Sequence, residues 1–222
     1  MIASARRWLD RFNARHPWNH TDYFHGWILH NLPARLRVAL DVGCGTSVLA
    51  GKLARKFERV TGIDADADMA AASTKRLAND SRVTIRRCRF EQFAAAPGDG
   101  EADLITMVAS LHHLGLDDAL AQIPRLLAPG GRLLVVGLAR VDSLLDLVVE
   151  LTSAAANPVM GLFKHPRRAQ PGSPSQPGAP VRDPETSLAQ IRASARAHLP
   201  GATVRRRLFF RYTLRWEKPP EQ

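Results

Sequence analysis

The sequence predicts an α/β fold: a mainly parallel sheet with helices on both faces. Three observations predict it. Short apolar runs recur through the middle of the chain, each bounded by turn residues. Segments of helical length and periodicity separate them, the pattern of repeated strand–helix–strand units. The runs are apolar almost throughout rather than alternating, as strands covered on both faces require.

The elements follow in order. Residues 1–13 read as a short amphipathic helix. "HPWNHTDYFHGWILHNLP" comes next, where Thr21 or Asp22 caps a helix that runs to about Asn31 and Pro33 closes. "RVALDV" (37–42) is the first strand, and a helix is expected over 46–56. "RVTGID" (59–64) is the second strand, with a helix over 66–79. "RVTIRR" (82–87) is the third and "ADLITMV" (102–108) the fourth, followed by a helix over 116–127. "GRLLVVGL" (131–138) is the fifth, with "PGG" ahead of it as a turn signal. The most apolar segment, 143–163, contains Asp146, Glu150 and Pro158. A membrane span would not tolerate all three, so it reads as a buried or pocket-lining helix. Residues 164–184 hold six prolines and two glycines and read as a mobile lid or insert. "PETSLAQIRASARAHLPG" is a capped helix, and "TVRRRLFFRYTLRWEKP" two strands.

With 222 residues the chain suffices for one domain. It divides into an N-terminal helical cap (1–34), a core (35–140), the apolar helix and Pro-rich insert (141–185), and a C-terminal helix with a strand pair (186–222). Two cysteines, Cys44 and Cys88, give no disulfide framework, and no signal-peptide core opens the chain, so a cytoplasmic location is expected. The net charge of +10 is spread along the chain as arginines with few interleaved aromatics, apart from "RRRLFFRYTLRW".

The chemistry starts at "ALDVGCGTSVLAGKLA" (39–54), an apolar run ending in an acid, then a glycine loop, then a helix. A dinucleotide fold needs Gly-x-Gly-x-x-Gly, whose last glycine allows close helix–strand packing. Here Val48 holds that place. Asp41, two residues before Gly43, would repel a pyrophosphate but attract a cation.

At this point the chain resembles the class I S-adenosylmethionine-dependent methyltransferases, in their small-molecule and ubiquinone-biosynthesis branch. Their acidic-x-Gly-x-Gly-x-Gly motif is similar to Asp41-Val-Gly43-Cys-Gly45-Thr-Ser47, with serine at the third glycine. "VTGIDADADMAAAS" resembles the second-strand motif, "ADLITMVASLHHL" the fourth and "IPRLLAPGGRLLVVG" the fifth; together they cover about residues 35–140. The resemblance implies a Rossmann-like methyltransferase fold, with a seven-stranded, mostly parallel sheet whose last strand is antiparallel. It implies S-adenosyl-L-methionine as cofactor and S-adenosyl-L-homocysteine as product.

Carried over by position, Asp64 and Ala65 at the second strand's end would meet the ribose, and the backbone of Gly43, Cys44 and Gly45 the methionine moiety. Asp41 would favour the cationic end. Met69 would pack on the adenine, with a core helix position as the alternative. The family's acid at the end of the third strand is absent, and "RRCRFEQF" puts Arg89 there, a donor only. Phe90 and Glu91 are the residues left to read the adenine edge. Val108 ends the fourth strand beside the cofactor, and Tyr23 of the N-terminal helix would close over the methionine end.

The acceptor is read less directly. Enzymes that methylate amines of bases or glutamine carry an Asn/Asp-Pro-Pro-aromatic motif after the fourth strand, where this chain has "MVASLHHL". Neither cysteine lies where a cytosine-methylating enzyme places its nucleophile. No acidic cluster suits a metal-dependent catechol type, so no metal is expected. Nucleic acid is therefore disfavoured, and a small, apolar or aromatic acceptor is expected. His112 and His113 are the candidate catalytic bases, against the alternative that they are scaffold. An RNA or protein methyltransferase and a non-catalytic cofactor-binding protein are the competing functional readings; oligomeric state, a homodimer included, is left open.

Overall fold

A computed structural model describes residues 20–95, 101–140, 142, 184–207 and 211–220, with the side chains of 20–22 left aside. The expected helix over 1–13, the apolar helix over 143–163 and the Pro-rich insert fall outside the described residues.

Seven strands form one sheet. Helix α1 (His20–His30) precedes β1 (Val38–Val42), α2 (Val48–Leu53), β2 (Arg59–Asp64), α3 (Ala67–Leu77), β3 (Val83–Arg87) and α4 (Phe90–Ala95). Then come β4 (Ala102–Val108), a 3-10 turn (Leu111–His113), α5 (Leu116–Leu126), β5 (Leu127–Gly137), α6 (Leu188–His198), β6 (Thr203–Arg206) and β7 (Tyr212–Glu217). The order is β3-β2-β1-β4-β5-β7-β6. β1 to β5 pair in parallel, and β7 is antiparallel to both β5 and β6. The chain reverses direction of winding at β1/β4, so the carboxyl ends of these two strands flank the crevice where such sheets bind ligands.

Each face buries its own core. One cluster joins Leu40, Ile105, Met107, Leu133 and Val135 to α5, α6 and the β7 residues Tyr212, Leu214 and Trp216. The other joins Ala39, Val60, Leu104, Leu134 and Val136 to α2 and to Phe24 and Ile28 of α1. β4 is buried over its first six residues and β5 over its last five, which explains their largely apolar runs.

Local signals account for the boundaries. Asp66 caps α3 by accepting from the amides of Asp68 and Met69. Ser187 and Gln190 form a capping box at the start of α6. The "PGG" signal falls inside β5, where the β4–β5 register jumps between Ala102↔Leu127 and Leu104↔Arg132. There Gly131 passes so near the Ala102 and Asp103 carbonyls that a Cβ would sit about 3 Å from each. Helix α4 was not foreseen in the sequence. Both rims of the sheet, β3 and β6, end in paired arginines, Arg86–Arg87 and Arg205–Arg206.

Helix α1 descends across the second face. At its lower end Arg132 of β5 donates to the carbonyls of Asn31 (3.1 Å) and Leu32 (2.6 Å). Its first turns therefore lie toward the carboxyl ends of the strands, over the crevice side.

Candidate active site

The loop after β1 is shaped by close approaches. Gly43 (φ 69°) and Gly45 (φ 53°) occupy the left-handed region, where glycine carries no Cβ penalty. At Gly43 a Cβ would also collide with the Ser110 Cβ, while at Gly45 the space is open. Ser110 donates to the Val42 carbonyl at 2.6 Å, so the segment after β4 is fastened to the tip of β1. The Gly43 and Cys44 amides both donate to the Ile63 carbonyl. The Cys44 side chain turns toward β2, where Gly62 leaves room for it. Burial pushes its thiol up to about 12, so it is no nucleophile. Cys44 therefore faces the crevice through its backbone.

Asp64 organises the loop. Its carboxylate accepts from Gly45 N at 2.8 Å and from Asp66 N at 2.9 Å, leaving further lone pairs for a ligand. Ser73 of α3 donates to the Gly45 carbonyl. Ala65 is exposed beside Asp64, and Met69 is buried on the first turn of α3.

Asp41 lies inside the sheet, 2% exposed, and accepts from Thr106 Oγ1 at 2.7 Å. Burial is the main cause that raises its carboxyl to about 6 from the usual 3.8; the Thr106 hydrogen bond opposes this, and Asp64 adds to it. Neither Asp41 nor Asp64 has an ion-pair partner among the described residues. In a chain of net charge +10, two such carboxylates at adjacent strand tips suit a cationic ligand and not a pyrophosphate.

Other positions divide. Phe90 is buried in the first core cluster, so its ring is committed to packing and only its backbone is free to meet a ligand. Glu91 is exposed on α4, and Arg89, also exposed, donates its amide to Gln92 Oε1 at 3.0 Å. Val108 is half-buried at the end of β4. Tyr23 is 44% exposed and meets Phe24 edge-on. The His112 and His113 rings stand 4.0 Å apart between centroids in the 3-10 turn that follows β4. Among the described residues no group of histidine, cysteine, aspartate or glutamate could hold a metal ion.

Two strained residues mark the crevice. Ser47 has φ 56° at the start of α2, and its buried hydroxyl has no partner of hydrogen-bond geometry, although Cys44 lies near enough to feel it. Ala109, just past β4, has φ 55°. Side chains in this region cost about 1–3 kcal/mol each and cluster where function over-determines the backbone. Sequence reading missed Thr106, Ala109 and Ser110. Only the third-glycine position held by Ser47 carried a signal.

Comparison with known proteins agrees with this geometry. Residues 39–131 match the family model described as a methyltransferase domain. An uncharacterized methyltransferase of Mycobacterium tuberculosis is 32% identical over 209 residues, 91% of this chain and 98% of that protein. A ubiquinone biosynthesis O-methyltransferase of Pseudomonas paraeruginosa is 32% identical over 134 residues, 59% of this chain and 57% of its own length. The N-methyltransferase NodS from Bradyrhizobium japonicum shares the fold, with a TM-score of 0.54 at 17% identity, covering 89% of this chain and 96% of that one. The fold, the acidic glycine loop and full-length similarity to a methyltransferase agree, and the chain belongs to the S-adenosylmethionine-dependent methyltransferase family.

Proposed function

We propose that this methyltransferase acts on a small, apolar or aromatic metabolite held at the carboxyl ends of β4 and β5. The observation that carries the reading is the His112–His113 pair, set directly after β4 beside the Gly43–Ser110 contact. That place holds neither proline nor an aromatic platform for an amine of a base. Similarity to a ubiquinone biosynthesis O-methyltransferase supports a small acceptor.

The cofactor supplies a sulfonium-activated methyl group. Asp64 and Ala65 meet its ribose, the backbone of Gly43, Cys44 and Gly45 its methionine end, and Asp41 its positive charge. Met69 and the Phe90 backbone border the adenine with Glu91, while Val108 and Tyr23 close the space toward the acceptor. The protein's main task is then to align a nucleophile with the methyl carbon and exclude water. For an oxygen or nitrogen nucleophile, one histidine of the pair accepts the acceptor's proton.

Calorimetry with S-adenosyl-L-methionine, followed by transfer of labelled methyl to extracts fractionated into small molecules, RNA and protein, tests the reading. Label in the small-molecule fraction is expected, and label confined to RNA or protein refutes it. Cofactor binding without transfer to any fraction would identify a non-catalytic protein. With an acceptor in hand, His112→Ala or His113→Ala should slow turnover by about 100-fold or more. Rates within a few-fold of wild type for both variants reject the proton-acceptor role.

A further inference from the structure

Arg211 opens β7 at the carboxyl end of the sheet, next to the Tyr212–Gly137 pair. Its Nε is sealed from solvent and has no partner, and the guanidinium makes no ion pair among the described residues. Burial alone lowers its pKa to about 10. The residue as a whole is half-buried, and a guanidinium held there without a partner is open to an anionic ligand.

A second observation concerns its neighbour. The Arg207 amide donates to the Arg211 carbonyl at 2.8 Å, continuing the ladder that pairs Arg206 with Tyr212. The two arginines therefore stand directly opposite each other across the hairpin. Like charges so placed destabilise a strand pair. Arg207 directs its Nε to Thr213 Oγ1 at 3.0 Å, and no carboxylate pairs with either guanidinium among the described residues.

The face is also fixed. Tyr212, Leu214 and Trp216 point into the core with α5 and α6, so Arg211 and Thr213 lie on the opposite face, the one α1 covers. The exposed Tyr23 lies on the part of α1 nearest the carboxyl edge. From β4, which leads into the histidine pair, β7 is two strands away, about 10 Å at the usual spacing. That is the reach of one small ring-bearing molecule.

We propose that Arg211, assisted by Arg207, binds an anionic group of the acceptor, a carboxylate, so that the substrate is a small aryl or alkyl acid and the arginine is its docking residue. This rests on the small-acceptor reading above and narrows it. A recessed guanidinium suits a compact carboxylate better than the extended backbone of a nucleic acid, which exposed arginines would serve.

The test uses the full-length protein saturated with S-adenosyl-L-homocysteine, and two isosteric probes, 4-hydroxybenzoate and 4-hydroxybenzamide, titrated by ligand-observed NMR. The acid should bind at least tenfold more tightly than the amide. Arg211→Gln should abolish that preference, Arg211→Lys should restore part of it, and S-adenosyl-L-homocysteine affinity should stay within twofold of wild type in both. Equal binding of acid and amide, or a preference that survives Arg211→Gln, overturns the proposal. So does displacement of the acid by an RNA oligonucleotide. Loss of S-adenosyl-L-homocysteine binding by the wild type would instead strike the methyltransferase reading itself, so the two failures are distinct.

Discussion

Replacing Asp41 with asparagine should stabilise the protein while weakening its cofactor binding. The side chain is 2% exposed and its carboxyl is raised from 3.8 to about 6. A carboxyl that holds its proton more tightly when folded lends no penalty below about pH 4 and its full penalty above pH 6. With each unit worth 1.36 kcal/mol, the ionised form costs about 3 kcal/mol at pH 7.5 and roughly half that at pH 5. Asparagine has the same shape and still accepts from Thr106 Oγ1, so the buried hydrogen bond survives. Urea denaturation of the ligand-free protein should therefore show Asp41→Asn more stable by about 3 kcal/mol at pH 7.5, the gap narrowing to about 1.5 kcal/mol at pH 5. Calorimetry on the same variant should show S-adenosyl-L-methionine binding weakened about tenfold or more, as the positive ligand loses its counter-charge. A variant no more stable than wild type at pH 7.5, or a gap that does not shrink in acid, would refute the account of Asp41 as a desolvated charge held for its ligand.

Two further changes test other parts of the crevice. Ser47→Gly should raise stability by about 1 kcal/mol, because glycine relaxes φ 56° and removes a buried hydroxyl without a partner. A thermal melt checks this, and a lower midpoint rejects strain at that turn. Glu91→Ala should weaken cofactor binding several-fold by calorimetry if the exposed carboxylate reads the adenine edge, and unchanged affinity removes Glu91 from the site.

Much of this architecture is legible in the chain because its signals are local. An acid, two glycines and a capped helix within a few residues define a backbone path, and Asp41, Gly43, Gly45, Asp64 and the Asp66 cap lie where their spacing places them. The 3-10 turn carrying His112 and His113 follows β4 for the same reason. Contacts set by distant segments are harder to read. Thr106 reaches Asp41, and Ser110 reaches Val42, across 65 and 68 positions of sequence. Serine and threonine in a strand and its following loop carry no sign of such partners. Helix α4 escapes because six residues following an arginine-rich strand show too little periodicity. The adenine-edge reading uses the backbone at Phe90 and leaves its ring unassigned; the first core cluster claims it. Arg211 is one of five arginines in 205–215, whose composition suggests a surface. The hairpin register puts Arg205, Arg207, Arg211 and Arg215 on one face, and only burial separates Arg207 and Arg211 from the exposed pair.

The arginines that end β3 and β6 bear on how the molecule behaves in a crowd. An open sheet has two rims of unspent amides and carbonyls, each a template on which another chain can crystallise as an added strand. Here each rim finishes in two guanidinium-bearing residues, so two copies approaching rim to rim bring like charge against like charge. Edge charges of this kind are one of the devices by which native sheets discourage strand addition at their rims.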